Sequence, residues 1–169
     1  IEPEQLEGIR QQLDLWQGRI DSHFVVDGKE VDVTTVCHPE KDMIAADIRT
    51  AAALPVVVRF PYPTGGHCDD ACDWSRDDAH RSELVEQRAG HALIRRTLDA
   101  ATYYVVLDFE GAELAQTGRN RFVLTPTADR YTLRAGFYDT MPAEAQPDTE
   151  TAVAAAADRW RSYWTEGAA

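Results

Sequence analysis

The residues best suited to chemistry lie close together. Residues 56–80 read VVVRFPYPTGGHCDDACDWSRDDAH, with five aspartates, two histidines, two cysteines and one tryptophan after the apolar start. Several functions compete for this set. Asp69, Asp70, Asp73, Asp77 and Asp78 crowd into ten residues, and glycoside hydrolysis needs two carboxyl groups held several ångströms apart. On that reading the chain is a self-sufficient hydrolase working through the Asp69 to Asp78 loop. A carboxyl that donates a proton must be partly desolvated, however, and this run is polar throughout. The composition therefore favours a solvated loop or cap. Calcium would use several such oxygens, but the spacing does not match an EF-hand. Zinc prefers thiolate and imidazole, so His67, Cys68 and Cys72 invite that reading. A fourth ligand would have to come from His80 or Asp73, and no C-x-x-C is present. Neither a cofactor nor a metal is expected.

Trp74 stands apart from these. A tryptophan in a polar loop, flanked by Asp73 and Arg76 with His80 nearby, suits the edge of a sugar site. Its indole face can stack on the C–H face of a pyranose while the charged neighbours bond the hydroxyls. Trp74, Asp73, Arg76 and His80 are the candidate substrate-binding residues. The competing structural reading has Trp74 folded back to anchor the loop. His23 and His38 read as structural residues at strand edges. No phosphate-binding glycine loop, G-x-S-x-G elbow or H-E-x-x-H is present, so no catalytic residue is assigned.

The elements around this loop read as strands. Asp27-Gly28 between two β-branched runs, 20–26 and 30–36, is a strong hairpin signal. Residues 43–49 alternate, 54–60 form a nearly continuous apolar run expected of a central strand, and 83–88 and 92–97 flank Gly90. Residues 102–109 (TYYVVLDF) give the clearest strand, followed by 122–125 and 131–137. Nine or ten short strands separated by turn residues predict an all-β, mainly antiparallel sandwich or barrel over residues 1–147. Before them, Leu6, Ile9, Leu13 and Trp16 are spaced for a short amphipathic helix. Gly8 weakens it, so a helical turn followed by extended chain is expected. Residues 148–169 change character: Asp148-Thr149 can cap a helix over 151–164 that ends in Trp160 and Trp164. That helix either caps the sandwich or leads into a further domain, and its two tryptophans favour the second.

Bulk properties narrow the partners. The chain has 169 residues, 44% hydrophobic and 27% charged, enough for one cored domain. Seventeen basic against 29 acidic residues give a net charge of −12. Such a surface repels phosphate backbones and anionic lipid, which disfavours nucleic acid and membrane. No apolar run approaches the length of a membrane span, and no leader pattern is visible. The chain opens Ile1-Glu2-Pro3 without a methionine, as a processed protein or an excised piece would. Three cysteines make no disulfide framework, so localisation stays open between cytoplasm and secretion.

Several phrases resemble one family. Leu13-Asp14-Leu15-Trp16-Gln17-Gly18-Arg19-Ile20, Val33-Thr34-Thr35 with His38-Pro39, and Arg59-Phe60-Pro61-Tyr62-Pro63 resemble the amino-terminal part of bacterial six-hairpin glycosidase-like proteins. So do Asp73-Trp74 with His80, Arg96-Thr97-Leu98-Asp99 before Tyr103-Tyr104, and the closing Trp160-Arg161-Ser162-Tyr163-Trp164-Thr165-Glu166-Gly167. The resemblance implies a large twisted β-sandwich, a supersandwich, placed before an (α/α)6 barrel that carries the catalytic acids. The chain would then be a non-catalytic domain of a glycoside hydrolase, inactive alone, with the barrel of the same parent chain as its partner. An autonomous carbohydrate-binding module is the alternative.

Overall fold

A computed structural model describes residues 3–67 and 70–167. Cys68 and Asp69 lie outside the described residues, and with them the zinc reading and any Cys68–Cys72 bridge. A 3-10 turn, Pro3–Gln5, precedes strands β1 (Leu6–Asp14), β2 (Arg19–Val26), β3 (Lys29–Cys37), β4 (Met43–Thr50) and β5 (Val56–Arg59). The short pair β6 (Tyr62–Pro63) and β7 (Cys72–Asp73) follows, then β8 (His80–Arg88), β9 (His91–Leu98) and β10 (Ala101–Glu110). After β11 (Ala112–Gly118), β12 (Arg121–Pro126) and β13 (Arg130–Tyr138) the chain closes with one helix, α1 (Thr149–Glu166).

Eight strands form one antiparallel sheet in the order β1-β2-β3-β4-β13-β10-β9-β8, and β11-β12-β5 form a second sheet. Turn chemistry sets the hairpins: Asp27 and Gly28 both have positive φ, 50° and 71°, as the tightest hairpin turn requires. Strand alternation then gives the large sheet two apolar faces. Val31, Ile48, Ile94, Val105, Leu107 and Tyr131 point toward Leu114, Phe122 and Leu124 of the small sheet, forming the main core. On the opposite face Val36, Met43 and Ala45 receive Ala152 and Ala156 of α1. The small alanines let the helix lie close, and Asp148 caps its start by accepting from the Thr151 amide at 2.7 Å.

The expected architecture holds, an antiparallel sandwich with an amino-terminal helical turn before extended chain and a carboxy-terminal helix, and two local expectations are corrected. The apolar spacing of Leu6, Ile9, Leu13 and Trp16 belongs to a strand after a single 3-10 turn. β2 supplies ladder partners along β1, and a bulge between Glu7 and Arg10 at Gly8 resets the alternation. Ile9, Leu13 and Trp16 are all more than half exposed, so no helix face is buried there. Of the 54–60 run, the strand Val56–Arg59 lies at the edge of the small sheet and not in its centre. Val56 and Val58 pack inward while Val57 is 46% exposed, an alternation that a run of identical apolar residues hides. Thirteen strands, not nine or ten, occur among the described residues. The additions include β11, whose small and polar residues carried no signal.

The helix does not stand alone. It packs along the sheet, and its end sits over the β1–β2 turn, where the Trp164 indole N–H donates to the Leu15 carbonyl at 2.6 Å. Trp160, Tyr163 and Trp164 contact one another with ring centroids 4.9–6.2 Å apart. Of the two sequence readings, contact with the sandwich is what the structure contains.

Candidate functional site

The main core changes character at one end. Ser82, Arg96 and Tyr103 are cross-strand neighbours on β8, β9 and β10. They occupy the row next to Leu84, Ile94 and Val105. Inward alternation of Ala92, Ile94 and Arg96 therefore drives an arginine into the sandwich, where it is 1% exposed. Its guanidinium donates to Ser82 Oγ and Asn120 Oδ1 at 2.8 Å each, to Tyr103 Oη at 3.2 Å, and contacts His80 Nδ1 at 2.8 Å. The Phe60 ring lies 4.6 Å below the cation, a favourable desolvated stack. Asn120 comes from the β11–β12 turn of the small sheet, so this cluster ties the two sheets together.

The aspartate-rich loop closes over that end. Asn120 Nδ2 donates to the Asp77 carbonyl at 2.8 Å and to its carboxylate at 3.0 Å. Tyr62 stands beside His80, ring centroids 5.9 Å apart, and its hydroxyl donates to Asp99 at 2.9 Å. The Arg76 guanidinium lies 4.0 Å over the Tyr62 ring. Arg59 lies 4.7 Å over the Trp74 ring and donates to the Trp74 carbonyl at 3.2 Å.

Each sequence candidate thus has a definite place. Trp74 is 48% exposed, with Arg59 against it. Arg76 is exposed and lies on Tyr62. Asp73 accepts from the Ser75 hydroxyl at 2.6 Å and the Ser75 amide at 2.9 Å. Those bonds hold its carboxyl below the usual carboxylate range, so it stays ionised and is unsuited to donate a proton. His80 is only 4% exposed. Burial, followed by the Arg96 charge, lowers its titration against the opposing pull of Asp77. The structure joins Arg76, Tyr62 and His80 in one chain of contacts, while Trp74 and Asp73 sit outside on the loop.

Arg96, Asn120, Tyr62, Arg59 and Asp99 did not emerge as site residues from local reading. Arg96 was findable, because its strand alternates and places it inward. Asn120 had no signal, since its role depends on a contact 38 residues away with Ser82. Among the described residues no three histidine, cysteine, aspartate or glutamate side chains gather as a metal site. The rim offers stacked aromatic faces with guanidinium and carboxylate edges, which suits a polyhydroxy ligand or a polar loop of a neighbouring domain. Among its described residues no carboxyl is buried.

The fold defines an antiparallel β-sandwich with a helix packed on the outer face of its larger sheet. No family model matches the chain, and no curated protein matches it. A solved structure described as "Putative kojibiose phosphorylase from human microbiome" shares the fold with a TM-score of 0.58 at 8% identity. That superposition covers 94% of this chain and 25% of the other, so the chain spans about a quarter of the protein it resembles.

Proposed function

We propose that this chain is a non-catalytic β-sandwich domain of a glycoside-active protein. It supports and shapes the substrate site of a separate catalytic domain, an (α/α)6 barrel in the same parent chain. The observation that carries this reading is the superposition of nearly the whole chain on one quarter of a larger protein named as a disaccharide phosphorylase. A likeness of fold alone does not transmit activity, so the surface must support it too. Leu13, Leu15, Trp16, Trp160 and Trp164 are all exposed, between 37% and 59%. Leu15 and the two helix tryptophans meet at the β1–β2 turn. Exposed apolar surface of this kind marks an interaction face. The Trp74 rim supplies an aromatic, charged edge that such a domain would place at the border of a sugar site. The neighbour's name extends the reading from glycosyl transfer to water to glycosyl transfer to phosphate.

The test compares the 169-residue chain with the longer parent protein in disaccharide hydrolysis and phosphorolysis. The expected result is no turnover by the chain alone, turnover by the parent, and a lower kcat/KM in parent Trp74→Ala. Turnover by the folded chain alone, lost in Asp77→Asn, would overturn this in favour of a self-sufficient hydrolase. The half-exposed Trp74 indole favours one second reading, an autonomous carbohydrate-binding module. Glycan binding by the chain alone, abolished by Trp74→Ala, would establish it.

A further inference from the structure

We propose that the His80–Arg96 contact is an acid-released latch that holds the loop bearing Trp74 and Arg76 against the end of the sandwich. Arg96 is buried, and among the described residues its hydrogen-bond partners Ser82, Asn120, Tyr103 and His80 carry no negative charge. The cation is accommodated by neutral acceptors and an aromatic face. One of those acceptors can stop accepting. At 2.8 Å the His80 Nδ1 can receive a guanidinium N–H only through its lone pair. That outweighs the longer 3.4 Å approach of the Asn120 amide nitrogen to Nε2 and assigns the proton of the neutral imidazole to Nε2. A proton arriving at Nδ1 turns the acceptor into a donor and sets two cations against each other inside the sandwich, where charge repulsion is poorly screened.

The surroundings set the direction. From the loop before β8, Asp77 favours the charged imidazole. From β9, Arg96 opposes it, and from the β11–β12 turn Arg119 opposes it as well. Tyr62 of β6 faces the ring, its hydroxyl committed to Asp99, and Tyr103 of β10 binds Arg96. Burial comes first among the causes, and with the two arginines it outweighs Asp77. The docked state therefore takes up its proton below 6.5, the ordinary imidazole value, while an undocked His80 takes it up near that value. Docking is complete above this value and weakens as pH falls from it toward the lowered one.

His80 begins β8, and Asn120 holds Asp77 three residues earlier. Expelling the imidazole removes one side of the pocket that orients Asn120. Release is local, since the strands behind the cluster keep their ladders. The latch follows from the cluster alone and is independent of whatever the loop binds.

Amide hydrogen exchange on the 169-residue chain, corrected for intrinsic rates, tests this between about pH 7.5 and about pH 5. Opening of residues 72–79 is expected to rise by at most about tenfold per pH unit, with β10 and β13 unchanged. His80→Gln keeps an acceptor for Arg96 and cannot take a proton, so its loop opening should be flat with pH. A flat wild-type profile, or the same slope in His80→Gln, overturns the proposal. Imidazole NMR on the unaltered chain keeps the test independent of how that variant folds. A proton on Nε2 and titration below 6.5 are expected, and a proton on Nδ1 at neutral pH overturns the latch.

Discussion

Asn120 shows how much one side chain can carry. It is fully buried, accepts from Arg96 and Ser82 with its oxygen, and donates to Asp77 with its nitrogen. Asn120→Ala leaves one N–H of a buried cation and the Ser82 hydroxyl without this acceptor, which costs about 2–3 kcal/mol. A drop in the urea midpoint at unchanged slope would show it, and an unchanged midpoint would mean that water fills the gap. Asp73 provides the contrast. Its carboxylate serves as an acceptor for Ser75, and an asparagine oxygen can accept the same two bonds. A carboxyl held below 3.8 contributes stability above that pH and loses it as pH falls through the lowered value. Asp73→Asn keeps the two acceptor bonds and removes the charge, so it should speed loop exchange at residues 74–76 at neutral pH. Unchanged exchange would show that the acceptor alone suffices. Trp74 and Asp73 were identifiable as candidates from sequence because an exposed polar loop keeps its residues together in the chain. The buried arginine cluster was not, because its members come from four separate elements.

At the scale of elements, the helix and the β1–β2 hairpin depend on each other through a glycine. Gly18 has φ of 58°, and an added Cβ would lie 1.9 Å from Cδ1 of Trp160, well inside contact distance. Gly8 has a similar φ of 60°, yet its nearest neighbour would be Val25 Cγ2 at 3.8 Å. Gly8→Ala pays only for the left-handed backbone, about 1–2 kcal/mol. Gly18→Ala pays that and displaces Trp160 as well, so it should be the more destabilising by roughly 1–3 kcal/mol. Thermal unfolding of the pair, followed by tryptophan fluorescence, separates the two effects. Equal losses would show that the helix end is loosely seated. The positions of these glycines were visible from the start, but their different burdens were not. Sequence locates a turn, whereas only packing tells what lies across it.

For the whole molecule, the apolar face around the β1–β2 turn is the feature that a free domain leaves uncovered. Trp16 is 59% exposed, so Trp16→Ser should lower the binding of an apolar fluorescent dye while leaving the melting temperature nearly unchanged. A large fall in melting temperature would make Trp16 part of the sandwich and not of an interaction face. On the proposed reading of a larger parent chain, the same substitution should weaken attachment of the sandwich, read as faster limited proteolysis between domains. Residues far apart in the sequence meet in two groups. Phe60, Tyr62, His80, Arg96, Asp99 and Tyr103 form one cluster, and Leu15, Gly18, Trp160 and Trp164 form another.

The sequence by itself determined the class of fold, most strand positions, the Asp27-Gly28 turn and the helix with its Asp148 cap. Those depend on alternation, turn residues and capping, all of them interactions between near neighbours in the chain. Tertiary structure alone decided that Val56–Arg59 forms an edge and that α1 lies on the sheet. It also decided that His80 sits inside beside a buried arginine instead of on the rim with Trp74. Each of these outcomes rests on contacts between residues distant in the chain, whose burial no local pattern records.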